Sequence, residues 1–247
     1  MPRRVLILGG TAEARALAAT LTQDPGLHVI SSLAGRVTNP RLPEGEVRLG
    51  GFGGPDGLSA YLTTQNIQAV IDATHPFAEK MTASATEATT RTRTPYLILR
   101  RPAWHPTPQD HWHPAPSLTT AAETLRTSPH QRVFLTTGRR SLPAFTPLTT
   151  RWFLARSVDP PDLPVPPNVH ILLARGPYTV PGERHLLQTH DIDVLITKNS
   201  GGPLTTAKLT AARELNLPVI MIERPALPDD VPRTETVEEA ARWLLSR

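Results

Sequence analysis

Residues 5–15 constrain the fold of this chain more than any other stretch. Four apolar residues, Val5-Leu6-Ile7-Leu8, run directly into Gly9-Gly10, and the helix-forming segment Thr11-Ala12-Glu13-Ala14-Arg15 follows at once. That is the order of a buried strand, a glycine turn and a helix N-terminus. A helix N-terminus offers unpaired N–H groups and the positive end of a dipole, so it can hold a phosphate. Glycines let the backbone turn sharply and come close to such a ligand. The turn departs from the G-x-G-x-x-G fingerprint of dinucleotide sites. Gly9 and Gly10 are adjacent, Thr11 stands at the second glycine position and Ala14 at the last. Taken alone, it leaves a tight structural turn and a phosphate cradle equally open.

The same order recurs along the chain. Short apolar runs lie at Val5–Leu8, His28–Ser31, Ala69–Ile71, Tyr96–Leu99, Val133–Leu135, Trp152–Ala155, Val169–Ala174, Val194–Ile196 and Val219–Ile222. Several are continuously apolar, as in strands of a parallel sheet buried on both faces. Helix-like stretches fall between them, at Ala12–Leu21, Gly57–Thr64, Ala78–Thr90, Leu118–Arg126, Pro203–Leu215 and Val237–Ser246. Alternation of strand and helix argues an α/β fold with mainly parallel sheets. The segment 101–116 carries five prolines and no periodicity, and reads as a connection between domains. An N-terminal domain over 1–100 and a C-terminal domain over 117–247 follow, with exchange of strands between them left open. Asp159–Pro167 reads as a stiff loop inside the second domain.

Composition narrows the function classes. The 247 residues contain no cysteine, which excludes disulfides, thiolate catalysis and cysteine-held metal. No apolar run approaches the about 18 residues needed to span a bilayer, and no signal-peptide pattern opens the chain, so a cytoplasmic protein without a membrane is expected. The net charge is +4, but the basic residues cluster only in pairs such as Arg100-Arg101 and Arg139-Arg140. An enzyme with an anionic substrate fits this better than a nucleic-acid binder. His105, His111 and His113 sit in the proline-rich segment without a carboxylate at metal-ligand spacing, so no metal is expected.

The turns after the apolar runs hold the candidate site residues. NAD-binding folds place an acid about 20 positions after the glycines to hold the ribose hydroxyls. Here the second strand ends Ser31-Ser32-Leu33-Ala34-Gly35-Arg36, with two hydroxyls, a cation and no acid. A guanidinium grips phosphate oxygens in charge-assisted bonds, so a dinucleotide here would be NADP. Asp72-Ala73-Thr74-His75-Pro76 closes another strand, and His75 could donate a proton or fix a ribose, or else only cap the next helix. In the second half, Thr136-Thr137-Gly138-Arg139-Arg140 and Lys198-Asn199-Ser200-Gly201-Gly202 again combine small residues with cations. Such loops make nests for phosphates or carboxylates, or are structural turns with exposed charges.

Together the stretches ILGGTAEAR, SLAGR, DATHPFA, RPAW, TTGR and KNSGG resemble the precorrin-6A reductase family of cobalamin biosynthesis, across nearly the whole chain. The resemblance implies two Rossmann-like domains with a cleft between them, and NADPH-dependent reduction of one macrocycle double bond to give precorrin-6B. It implies cofactor contacts at Gly9, Gly10, Thr11, Ala12, Glu13, Ser32, Arg36, Thr74 and His75. It implies that Arg139, Lys198, Asn199, Ser200, Gly201 and Gly202 belong to second-domain loops that bind the polycarboxylate tetrapyrrole, with contact to the cofactor left open. His75 and then Lys198 are the candidate proton donors, with water as the alternative. A sister branch reduces the cobalt-containing substrate, and another NADP-dependent Rossmann oxidoreductase or a nucleotide-sensing protein are the other readings. The short-chain reductase pair is absent, since no lysine follows Tyr61, Tyr96 or Tyr178 by four residues. Monomer and homodimer are both open.

The 2′-phosphate reading is tested by affinity. NADPH is expected to bind more tightly than NADH, and Arg36→Ala to weaken NADPH binding strongly. Equal binding of the two nucleotides to the wild type would contradict it.

Overall fold

The computed structural model describes residues 2–35, 38–162 and 164–247. Two compact units divide the chain, residues 1–102 with 225–247, and residues 103–224. The chain enters the first unit through β1 (Arg3–Leu8), α1 (Ala12–Leu21), β2 (Leu27–Leu33), β3 (Glu46–Leu49), α2 (Pro55–Thr64), β4 (Ala69–Asp72), α3 (Glu79–Thr92) and β5 (Tyr96–Leu99). It builds the second unit from β6 (Trp112–Ala115), α4 (Leu118–Thr127), β7 (Arg132–Leu135), a 3-10 turn at Arg139–Ala144, β8 (Trp152–Ser157), β9 (Val169–Leu173), α5 (Val180–Thr189), β10 (Val194–Lys198), a 3-10 turn at Pro203–Thr205, α6 (Ala207–Glu214) and β11 (Val219–Ile222). It then returns to the first unit with β12 (Arg233–Thr234) and α7 (Val237–Leu245).

Each unit contains one six-stranded sheet, and every pairing is parallel. The first runs β12-β5-β4-β1-β2-β3 and the second β6-β11-β10-β7-β8-β9. Counted from the central strands, both are doubly wound, and the order reverses between β1 and β4 in one and between β7 and β10 in the other. Open α/β sheets bind ligands beyond the carboxyl ends of the strands at such a reversal. The outer position is filled differently. In the first sheet it is taken by a strand from the end of the chain, and in the second by one that precedes the rest.

The apolar runs are continuous because both faces of the sheet are covered. Val5 and Ile7 point into one core with Leu17, Ala18 and Leu21 of α1. Leu6 and Leu8 point into the opposite core with Leu58 and Leu62 of α2 and Ala85 and Ala88 of α3. In the second unit Phe134, Leu195 and Met221 pack on Leu187 of α5 and Leu209 and Ala212 of α6. Hydroxyl caps start four of the helices: Thr11, Ser117, Thr179 and Thr236 each accept from a backbone N–H in the first turn.

The boundaries expected from sequence differ from this in two places. Residues 112–115, inside the expected connection, form β6, which pairs with β11 at the sheet edge. An edge strand bonds one neighbour only and so tolerates Pro114, which has no N–H. Residues 225–247, expected in the C-terminal domain, belong to the first unit. There α7 inserts Ala240, Ala241 and Leu244 into the α1 core, and Arg100 N–H bonds Thr234 O at 2.8 Å. That burial ties the end of the chain to its beginning.

Adjacent residues of α7 test the placement. Leu244 is fully buried and Leu245 is 57% exposed. Leu244→Ala is expected to cost about 2–5 kcal/mol in urea unfolding, and Leu245→Ala less than about 0.5 kcal/mol. Equal effects would contradict the docking of α7.

Candidate functional site

In the first unit the register sets the site. Leu8 pairs with Ser32 on one side and Asp72 on the other, so the ends of β1, β2 and β4 stand in a row. Gly9 N–H donates to Ser32 O at 2.9 Å, extending the ladder into the turn. A Cβ on Gly9 would lie tight against a Leu33 methyl, at 3.3 Å, and in ordinary contact with Ala14 Cβ, at 3.5 Å. Gly10 has φ +112°, a conformation that disfavours side chains. Thr11 then does two jobs with one hydroxyl. It accepts from Ala14 N–H at 3.1 Å, capping α1, and donates to Ala73 O at 2.7 Å. The bond to Ala73 joins the β1 and β4 turns across the point where strand order reverses.

With the Thr11 hydroxyl engaged in this way, it is the backbone that faces a ligand. Among the described residues, no protein acceptor takes the N–H groups of residues 10–13, which lie at the positive end of α1. This arrangement fits a dinucleotide pyrophosphate. Glu13, in the first helical turn, pairs with Arg101 at 2.7 Å, and both are largely buried. Arg101 thus neutralises an acid that would repel phosphate.

The β4 turn is organised by a carboxylate. Asp72, only 2% exposed, accepts from Thr74 N–H at 3.0 Å, Thr74 Oγ1 at 2.6 Å, Thr82 Oγ1 at 2.7 Å and Tyr96 Oη at 3.1 Å. Burial and then the Asp72 charge raise the Tyr96 pKa, which keeps the phenol a donor. Four donors on one carboxylate fix Thr74 and leave His75 exposed just beyond it. His75 Nδ1 accepts from Phe77 N–H at 3.2 Å, which assigns the proton of the neutral ring to Nε2. Asp72, Thr74, His75, Pro76 and Arg100 line a shallow, open recess.

Ser32 lies at the end of β2, where Arg48 Nη1 donates to its hydroxyl at 3.3 Å. Arg36 lies outside the described residues. Sequence reasoning passed over Arg48, which also bonds the carbonyls of Gly50 and Gly51 and stacks 3.9 Å above Phe52. Its signal was present: Glu46–Leu49, then Gly50-Gly51-Phe52-Gly53-Gly54, then Pro55 at a helix start repeats the strand–glycine–helix order.

The second unit places its cationic turns at the corresponding edge. Thr136 N–H donates to Ile196 O at 2.9 Å, bringing the β7 and β10 ends together. Lys198 Nζ donates to Ser141 Oγ at 3.0 Å, and Ser141 in turn donates to Thr137 O at 3.1 Å. Burial, and secondarily the Arg140 charge, lower the Lys198 pKa. Arg139 reaches Pro160 O at 2.9 Å and Asp162 at 2.7 Å on the β8–β9 loop. Gly201 and Gly202 have φ of +67° and +72°, a left-handed backbone that favours glycine in the 199–202 loop. The Asn199 side chain, expected to contact substrate, bonds both N–H and O of Trp104, at 2.9 and 3.0 Å. Trp104 Nε1 adds a bond to Gly202 O at 2.8 Å. Sequence reading found the RPAW and KNSGG motifs but not that one straps the other.

Among the described residues, no group of three or more His, Asp or Glu side chains is placed to hold a metal ion. No helix is long and apolar enough to cross a membrane.

A family model described as Precorrin-6x reductase CbiJ/CobK matches residues 4–245. The chain is 54% identical over 238 residues to the precorrin-6A reductase of Rhodococcus erythropolis, covering 96% of this chain and 94% of the relative. It is 48% identical over 242 residues to that of Mycobacterium tuberculosis H37Rv, covering 98% and 97%. A solved structure of CobK precorrin-6A reductase aligns with TM-score 0.91 and 41% identity, over 99% of this chain and 96% of that one.

The Thr11 bridge is separable by substitution. Thr11→Val keeps the shape but loses both the cap and the bond to Ala73, and is expected to cost about 2 kcal/mol in urea unfolding. Thr11→Ser retains the hydroxyl and is expected to cost less than half as much. Equal losses would show that the methyl, not the hydroxyl, matters.

Proposed function

This chain belongs to the precorrin-6x reductase family, and we propose that it reduces one double bond of the precorrin-6A macrocycle, with NADPH as reductant, to give precorrin-6B. Membership rests on a match over residues 4–245 and makes the chain an oxidoreductase. The observation that carries the cofactor reading is the β1 turn, where glycines, an engaged Thr11 hydroxyl and the N–H groups of residues 10–13 form a phosphate cradle.

The bound reduced nicotinamide supplies the hydride. The chain's residues bind, orient and supply the proton. The α1 N-terminus holds the pyrophosphate through residues 9–13. Ser32 and Arg36 hold the adenosine ribose and its 2′-phosphate. Thr74, fixed by Asp72, and His75 take the nicotinamide end. Arg139, Lys198 and the 199–202 loop hold acetate and propionate carboxylates of the substrate, Asn199 through the loop backbone. Cations suit a ligand with many carboxylates because they steer it and fix its orientation.

Hydride reaches an electron-poor ring carbon and a proton must reach its neighbour. His75 Nε2 and Lys198 Nζ are the two donors this reading offers. A buried ammonium with a lowered pKa gives up its proton more readily near neutrality than an exposed lysine does.

The direct test is anaerobic NADPH oxidation with precorrin-6A. Turnover to precorrin-6B is expected, and none under conditions that support a known reductase would overturn the reading. Lys198→Ala and Arg139→Ala are each expected to raise the precorrin-6A KM about tenfold or more without changing the KM for NADPH, the loss of one charge-assisted contact. Unchanged kinetics in both would contradict the placement of substrate at the second unit.

A further inference from the structure

Behind the 199–202 loop lies a group of charges that the proposed reaction does not use. Lys208, in the first turn of α6, is 4% exposed. Among the described residues its one hydrogen bond goes to Thr205 O, at 2.7 Å. Its ammonium also lies 4.8 Å from the centre of the Trp104 ring, within range of a cation–π contact. Two charged groups face it from neighbouring elements, Arg156 from β8 and Glu183 from α5. They pair with each other through two bonds, at 2.5 and 3.0 Å, and Arg156 stacks 3.7 Å from the Tyr178 ring. Each Glu183 oxygen accepts from Arg156, and among the described residues no carboxylate pairs directly with Lys208. A buried lysine without a counterion is costly, so a chain that keeps one invites a functional account.

We propose that Lys208 is a positioning residue for the 199–202 loop: its ammonium, held between Thr205 O and the Trp104 ring, keeps Trp104 strapped across that loop, and loss of the proton slackens the strap. The connection is contiguous. Lys208 touches the Trp104 ring, and Trp104 makes three bonds to the loop, two to the Asn199 side chain and one to Gly202 O. The Thr205 carbonyl belongs to the 3-10 turn that follows Gly202, so the ammonium also ties the far end of the loop. The functional consequence rests on the reading that this loop binds substrate carboxylates.

The strap titrates in a useful range. Burial, reinforced by Arg156 and opposed by Glu183, lowers the Lys208 pKa to about 7. The protonated clamp is therefore complete below neutrality and lost as pH rises through it. The stability linkage has its own sign. The folded pKa lies below the ordinary lysine value of 10.5, so the folded state binds fewer protons than the unfolded one between about 7 and 10.5. This group's contribution to stability rises with pH across that window and is at its minimum below it.

The test uses the intact enzyme. Tryptophan emission of the free protein is expected to change with a midpoint near neutrality, and that change should vanish in Lys208→Met and in Trp104→Phe. The precorrin-6A KM should rise about fivefold or more over the same range, the size of a lost cation–π contact, while the KM for NADPH stays level. Lys208→Arg keeps its charge and should hold the low KM at every pH. Lys208→Met should show the high KM throughout and unfold at a higher temperature than the wild type below neutrality, by a margin that narrows as pH rises. Absence of the emission change in the wild type overturns the clamp. An emission change with a flat substrate KM overturns the positioning role. If Lys208→Met leaves KM unchanged while Lys198→Ala raises it, this proposal alone fails; if neither raises it, the substrate reading of the loop fails first.

Discussion

A parallel strand cannot be followed by a hairpin, and this constraint organises both units. Each strand must be left by a crossing segment before the next begins, and all strands then end at the same edge. Every turn that follows a strand therefore opens at that edge, whatever its sequence. The chain exploits this by putting its glycines and cations there. Burial on both faces forces the strands to be apolar throughout, as Val5–Leu8 shows with alternate residues in opposite cores. Polar chemistry is left to the turns. The backbone N–H groups of residues 10–13 and the 199–202 loop are products of this division of labour.

The turns are held by side chains that spend their own polarity on the fold. Thr11 caps α1 and bonds Ala73. Asp72 accepts four donors and so fixes Thr74. Asn199 straps Trp104 to the second turn. In each case a residue that stands in a motif positions its neighbours, and the loop backbone is left to meet a ligand. A buried carboxylate with every lone pair engaged is rigid, because any movement leaves a donor unsatisfied. The candidate site is thus built before a ligand arrives.

The strands with buried apolar runs were legible in the sequence, since each of the nine runs read there lies on a strand of the two sheets. The elements missed have physical reasons. β3, β6 and β12 are edge strands, short and partly exposed, so their residues carry little hydrophobic pattern. α5 opens with Pro181 and Gly182, which read as a loop. The return of α7 to the first unit depends on packing against α1, a contact between the two ends of the chain. At the site, the glycine turns and their cations were legible because they are local. Their partners were not, because Glu13 meets Arg101 and Asn199 meets Trp104 across 88 and 95 residues. Lys208 gave no local signal at all, being one lysine in a helix of ordinary composition.

The central claim is that the two sheet edges divide the work, nucleotide at the β1 and β4 turns and macrocycle at the β7 and β10 turns. Amide hydrogen exchange with each ligand in turn tests it most directly. NADPH alone should protect peptides spanning residues 9–13 and 73–75 and leave 198–202 exchanging as in the free protein. Precorrin-6A alone should do the reverse. Protection of 198–202 by NADPH, with residues 9–13 unaffected, would contradict the account.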